Sequence, residues 1–122
     1  MTNCLLATQL PMFRPMAKVL LEQLGFKVVV AVDGKDALAE FDQQIPDVVL
    51  MTDGLPPFGV EQTIRTMRDV EGGNAPKIIV IMRLDSLERV SAIRNAGANF
   101  CDAAPTQESI VKILRDNGLL KS

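Results

Sequence analysis

The stretch Pro46-Asp47-Val48-Val49-Leu50-Met51-Thr52-Asp53-Gly54-Leu55-Pro56-Pro57 decides the fold. Its centre is a short, unbroken apolar run rich in valine, which is more typical of a strand covered on both faces than of a helix. The run ends at Thr52-Asp53-Gly54, and the two prolines beyond it favour an irregular loop. Because sites in open parallel α/β sheets lie at the carboxyl ends of strands, we expect Thr52 and Asp53 on the rim of any site.

Working outward, further apolar segments predict strands that alternate with amphipathic helices. The strands are expected over residues 3–8, 27–32, 77–82 and 98–102, in addition to the opening stretch. Asp33 and Thr106 are expected to cap the second and fifth helices, Asp85 with Glu88 the fourth, and Gly25 to close the first. Strict alternation predicts one α/β domain over residues 1–122, with a parallel five-stranded sheet and five helices on its two faces.

The composition limits the classes of function. The chain has 122 residues, 48% of them hydrophobic, which suits one domain with a real core. A net charge of −2 provides no broad basic surface, so neither nucleic acid nor a membrane is an expected partner. With no signal peptide or membrane span in view, a cytoplasmic location is expected.

Two residue types narrow the chemistry further. Histidine is absent, which excludes histidine acid/base catalysis, histidine metal ligands and a histidine phosphocarrier. The two cysteines, Cys4 and Cys101, fit a reducing compartment, and we expect no disulfide between them.

Four fragments resemble motifs of one family. They are Leu24-Gly25-Phe26-Lys27-Val28, Ala31-Val32-Asp33-Gly34-Lys35-Asp36-Ala37-Leu38, Pro46-Asp47-Val48-Val49-Leu50 and Ala96-Gly97-Ala98 followed by Pro105. In order and spacing they are similar to the receiver domain of bacterial response regulators, the CheY-like family. The resemblance covers essentially the whole chain. It implies a flavodoxin-like, doubly wound sheet with strand order 2-1-3-4-5.

The family's phosphorylation site does not carry over. A working receiver has two acids after strand one, a phosphoacceptor aspartate at the end of strand three, a hydroxyl after strand four and a lysine after strand five. Counted from the matching motifs, these positions fall on Thr8, Gln9, Thr52, Met82 and Ala104. None brings a charge, so the resemblance predicts a degenerate pocket that needs no metal or other cofactor and performs no catalysis.

Asp53 leaves an alternative open. A shift of one residue at the end of strand three would place its carboxylate in the pocket and give an atypical phospho-accepting regulator. The opposing interpretation is a solvated loop acid, because successive residues of a strand point to opposite faces.

The favoured hypothesis is a pseudo-receiver that acts independently of phosphorylation as a protein-interaction module in bacterial signal transduction. The resemblance places partner contacts on the face of helix four, strand five and helix five. The candidates there are Arg89, Val90, Arg94, Phe100 and Cys101. The partner would be another signalling protein, and a weak homodimer is compatible with this hypothesis. Arg83, Arg89 and Arg94 leave a further alternative, a domain that binds a nucleotide or another small anion.

Overall fold

The computed structural model describes residues 2–82, 87–102 and 106–120, over which strands and helices alternate as predicted. The strands are β1 (Thr2–Ala7), β2 (Phe26–Ala31), β3 (Val48–Thr52), β4 (Lys77–Ile81) and β5 (Phe100–Asp102). The helices are α1 (Phe13–Gln23), α2 (Gly34–Gln43), α3 (Gly59–Asp69), α4 (Leu87–Ala96) and α5 (Gln107–Asp116). None of the helices in these ranges has both the length and the apolar character that crossing a membrane requires.

All neighbouring strands pair in parallel, and their order is β2-β1-β3-β4-β5. This confirms the flavodoxin-like prediction. Strand β3 is central, and its register with β4 aligns Thr52 with Ile81. Cys4 on β1 and Cys101 on β5 are separated by two strands, and both thiols are free as expected.

The core consists of two apolar clusters, one on each face of the sheet. Val49 and Met51 of β3 belong to the cluster that α2, α3 and α4 cover. Val48 and Leu50 belong to the cluster that α1 and α5 cover. Alternate residues of β3 therefore face different helices, and this alternation fixes the direction in which the residues at its end point.

Most helix boundaries follow the predicted signals. The Asp33 carboxylate accepts a hydrogen bond from the Asp36 amide at 2.7 Å, and the Thr106 hydroxyl accepts one from the Ser109 amide at 3.2 Å. Gly25 follows α1 with a φ of 96°, a conformation that favours glycine. Asp85 of the predicted capping box lies outside the described residues.

The predicted buried face of α1 is partly wrong. Met16, Val19, Leu20 and Leu24 recur at helical spacing in the sequence and predict a buried stripe, yet Val19 is 53% exposed. The buried line runs instead along Phe13, Ala17 and Leu21. The small side chain of Ala17 allows α1 to approach the sheet closely, so Met16, Leu20 and Leu24 only flank that line.

Arg68, at the end of α3, joins three segments of the chain. Its guanidinium donates five hydrogen bonds of 2.7–3.0 Å, which go to the carbonyl oxygens of Gly97, Gly73 and Pro76 and to Oδ1 of Asn99. The same Asn99 oxygen accepts from the Ile78 amide at 2.8 Å. Arg68 therefore fixes the turn between α4 and β5 to the start of β4.

We expect Arg68→Met to lower the free energy of unfolding by about 2 kcal/mol, because several carbonyl groups lose a charged donor while the aliphatic length is kept. Urea unfolding followed by circular dichroism measures this change. Arg65→Met, an exposed arginine on the same helix, should change stability by less than about 0.5 kcal/mol. Equal effects of the two substitutions would show that the network around Arg68 contributes nothing.

Candidate functional site

Thr8 and Thr52, two of the positions counted from the family motifs, lie at the carboxyl edge of the sheet. Thr8 follows β1 directly and Thr52 ends β3, and the two side chains are 0% and 1% exposed. The Thr52 hydroxyl donates a hydrogen bond to Thr8 Oγ1 at 2.6 Å. Thr8 Oγ1 also accepts from the Leu10 amide at 3.1 Å. The centre of the site is thus a pair of buried hydroxyl groups that satisfy each other.

The other positions counted from the family motifs add no charge. Gln9 is exposed beside the pair. Met82 is 3% exposed and packs in the core cluster under α2, α3 and α4. Ala104 and Arg83 lie outside the described residues.

These residues do not fit the divalent cation that a receiver holds. Magnesium requires charged oxygen ligands to offset the cost of its dehydration. Thr8, Gln9 and Thr52 supply no carboxylate, and the two hydroxyl groups already bond to each other. Over residues 2–82, 87–102 and 106–120, no group of three or more acidic, cysteine or histidine side chains is arranged to hold a metal ion.

Asp53, one residue after Thr52, is paired with Arg89 of α4. Arg89 Nη1 lies 2.6 Å from Asp53 Oδ2, and Arg89 Nη2 lies 2.6 Å from Asp53 Oδ1. Asp53 Oδ1 also accepts from the Gly54 amide at 2.9 Å. Arg89 Nη2 lies 3.4 Å from Oε1 of Glu61 in the first turn of α3. The arginine therefore makes a two-point contact with one carboxylate and a longer contact with a second.

This pair corrects the interpretation of Asp53 as a simply solvated loop acid. Its side chain is 34% exposed, and the hydrogen bonds from Arg89 hold the pKa of the Asp53 carboxyl below its usual range. In turn, the bond to Asp53 raises the pKa of Arg89. Glu61 was not identified from the sequence, because an acid in the first turn of a helix is common and carries no specific signal.

The predicted partner surface is only partly exposed. Arg94 is exposed, and Val90 and Phe100 are half-buried against the two core clusters. Cys101 is 8% exposed and packs under α4, so its prediction as a surface contact is wrong. The cause is the alternation along β5, which directs Phe100 and Cys101 to opposite faces. Burial raises the pKa of the Cys101 thiol, and the nearby Arg94 partly offsets that rise.

Exposed apolar side chains lie in the loops that follow β1 and β3 and at the start of α4. Met12 and Leu87 are each 86% exposed, Phe58 is 47% exposed and Leu10 is 45% exposed. An open apolar groove of about 390 Å³ lies between the loop after β1 and the start of α1, where it is lined by Leu10, Pro11, Met12, Phe13 and Met16. The edge of the sheet therefore combines a neutral hydroxyl pair, the ion pairs of Arg89 and exposed apolar side chains in the adjoining segments.

We expect Thr52→Val to lower the free energy of unfolding by about 1 kcal/mol, because the Thr8 hydroxyl loses a buried partner while the shape of the side chain is kept. The Leu10 amide still bonds to Thr8, which keeps the cost moderate. Urea unfolding measures the change. Thr66→Val on the half-exposed side of α3 is the control, and an equal loss in both variants would contradict a specific role for the buried pair.

No model of a protein family matches the chain. Its curated relatives include PilH of Pseudomonas aeruginosa, 29% identical over 96 residues that make up 78% of this chain and 79% of PilH. They also include transcriptional regulatory proteins of Bacillus subtilis and Mycobacterium tuberculosis, of whose length this chain spans only 33–44%.

Solved structures with the same fold are receiver domains. The receiver domain of the sensor histidine kinase PA1611 of Pseudomonas aeruginosa is 25% identical with a TM-score of 0.83, and the match covers 94% of this chain and 95% of that one. The chemotaxis response regulator CheY4 of Vibrio cholerae has a TM-score of 0.89 at 22% identity, over 95% of this chain and 98% of its own. By its fold and its sequence relatives, the chain is a CheY-like receiver domain of the response-regulator family.

Proposed function

We propose that this receiver domain acts without phosphorylation, as a protein-interaction module in bacterial signal transduction. The observation that carries the proposal is the hydrogen bond between Thr52 and Thr8, at the two positions that need carboxylates. The PA1611 receiver has a magnesium ion coordinated in its active-site cleft. Here the positions counted from the family motifs hold a neutral, buried pair, which offers neither an activated nucleophile nor a charged ligand for a dication.

Asp53 is a poor substitute for the missing phosphoacceptor. Both of its carboxylate oxygens accept short hydrogen bonds from Arg89, which stabilise the carboxylate and compete with its attack on a phosphoryl group. A carboxylate whose pKa is lowered is also a weaker nucleophile. The cation beside it, Arg89, is bonded to the carboxylate itself.

The exposed part of α4 is the favoured surface for a partner. Val90 offers apolar area and Arg94 a charge on that helix. Arginine is common at binding hot spots, because its planar group makes several hydrogen bonds at once. Arg89 fits that role less well than the sequence alone indicated, because Asp53 and Glu61 already engage it. The same contacts disfavour Arg89 as a receptor for a nucleotide or another small anion.

We expect no stable acyl phosphate when the protein is incubated with acetyl phosphate, with or without magnesium. Asp53 is engaged by Arg89, and Thr52 lies buried against Thr8 without a base. Intact-protein mass spectrometry checks this expectation. A mass gain of one phosphoryl group that disappears in Asp53→Ala would instead establish the atypical phospho-accepting regulator.

We expect Arg94→Glu, at an exposed position of α4, to weaken capture of the physiological partner about tenfold, with little change in the urea midpoint, since exposed charges contribute little to stability. The measurement is a pull-down from the native host, with quantitative mass spectrometry on the same bait variants. Two variants at the carboxyl edge, Met12→Ser and Thr52→Ala, serve as controls for position. If they abolish capture while the α4 variant retains it, the edge of the sheet is the working surface and the proposed face is wrong.

A further inference from the structure

The two halves of α4 are held in place differently. The fully buried residues of this helix, Ile93 and Ala96, both lie in its second half. In the first half, Leu87 is 86% exposed, and Arg89 and Val90 are only half-buried. By contrast, buried residues are distributed along most of α3, from Val60 to Met67. Apolar burial therefore anchors the end of α4 much more firmly than its beginning.

The beginning of α4 buries little apolar area, and Arg89 supplies a polar contact that holds it instead. It lies in the first turn of the helix and reaches across to Asp53, 36 positions earlier in the chain, with two bonds of 2.6 Å. The contact with Glu61 at 3.4 Å adds the first turn of α3. Two-point pairs between arginine and a carboxylate constrain direction as well as distance, which a non-directional apolar contact does not.

The end of β3, where Asp53 binds Arg89, is itself held by backbone hydrogen bonds. The Asp53 amide donates to the Ile81 carbonyl at 3.1 Å and so extends the pairing of β3 with β4 by one residue. The loop beyond it is tied to α2, because the Gly34 amide donates to the Pro56 carbonyl at 2.8 Å. A Cβ at Gly34 would lie 2.8 Å from Thr63 Oγ1 and 3.3 Å from the Leu55 and Pro56 carbonyl oxygens, so glycine is needed for this close approach.

We propose that Arg89, Asp53 and Glu61 form a clamp that holds the first turn of α4 against the end of β3 and keeps the α4–β5 face in one conformation. The clamp is a built-in device, because all three side chains belong to this chain and no added group is required. Its relevance to signalling rests on the proposed function, in which that face binds the partner. The existence of the clamp does not depend on that function, because the clamp is defined by the contacts that position α4.

The strength of the clamp follows from its exposure. The Arg89 and Asp53 side chains are 39% and 34% exposed, so solvent screens the pair in part. The lowered pKa of Asp53 keeps its carboxylate ionised at neutral pH. We therefore expect a local effect on the first turn of α4 rather than loss of the fold, and we expect the effect to decrease as the salt concentration rises.

Amide hydrogen exchange of the free protein tests the clamp. Asp53→Asn keeps the shape of the side chain and removes the charge, and Arg89→Gln removes the guanidinium. Each should raise the exchange rates of amides 90–93 about tenfold, while amides of α3 and α5 exchange as in the unchanged protein. Arg65→Gln, on the exposed side of α3, is the matched control and should leave all rates unchanged.

A charge-swapped variant, Asp53→Arg with Arg89→Asp, should restore at least half of the lost protection. If this variant does not fold, the exchange rates of the two single variants decide whether the clamp exists. Unchanged exchange in both single variants would overturn the clamp, as would an equal rise in α3, α4 and α5, which signals global destabilisation. The experiment contains neither partner nor phosphodonor. Failure of the proposed function would appear instead as acyl phosphate on Asp53 or as partner capture at the other surface, so the two failures are distinguishable.

Discussion

Every residue of β3 is buried, and this constraint determines what the end of that strand can do. A polar atom that reaches such an interior must find its partner inside the protein, because an unsatisfied buried group costs free energy. Thr52 meets the requirement by donating to Thr8. The bond gives the Thr52 hydroxyl a partner inside the protein, and neither threonine brings a charge to this edge of the sheet.

The alternation of strand residues separates Thr52 from Asp53. Thr52 continues the series of Val48 and Leu50, whose cluster is covered by α1 and α5. Asp53 continues the series of Val49 and Met51, on the side of α3 and α4, where Arg89 and Glu61 lie. One position along the chain thus changes the environment of a side chain from a neutral hydroxyl pair to an ion-pair cluster. Asp53 cannot enter the hydroxyl pair without breaking the register of β3.

Local signals in the sequence were sufficient for the fold, and long-range pairings were not. The alternation of strands and helices and the Asp33 and Thr106 caps follow from patterns within a few residues of one another, and the strand order follows from the family resemblance. The face of α1 was predicted less well, because the depth at which Ala17 packs depends on the sheet beneath it.

The same limit applies to the candidate site. The absence of carboxylates at Thr8 and Thr52 was evident from the sequence, since each position is counted from a nearby motif. The contact between Asp53 and Arg89 was not, because it joins residues 36 positions apart and depends on where α4 begins. Residue types reveal which charges a site lacks. Only the folded structure shows which charged side chains are paired with each other.

The way α4 is held has a consequence for what it can present. A helix that is fixed by apolar burial must turn its apolar side chains inward, where no partner can reach them. In the first turn of α4 an ion pair supplies the fixing contact, and it does so in a defined direction. Leu87 consequently remains 86% exposed and Val90 half-exposed on a helix whose position is nevertheless determined. An ordered apolar surface costs less conformational entropy on binding than a mobile one, so the clamp and the exposure of Leu87 and Val90 together favour recognition of a partner by this helix.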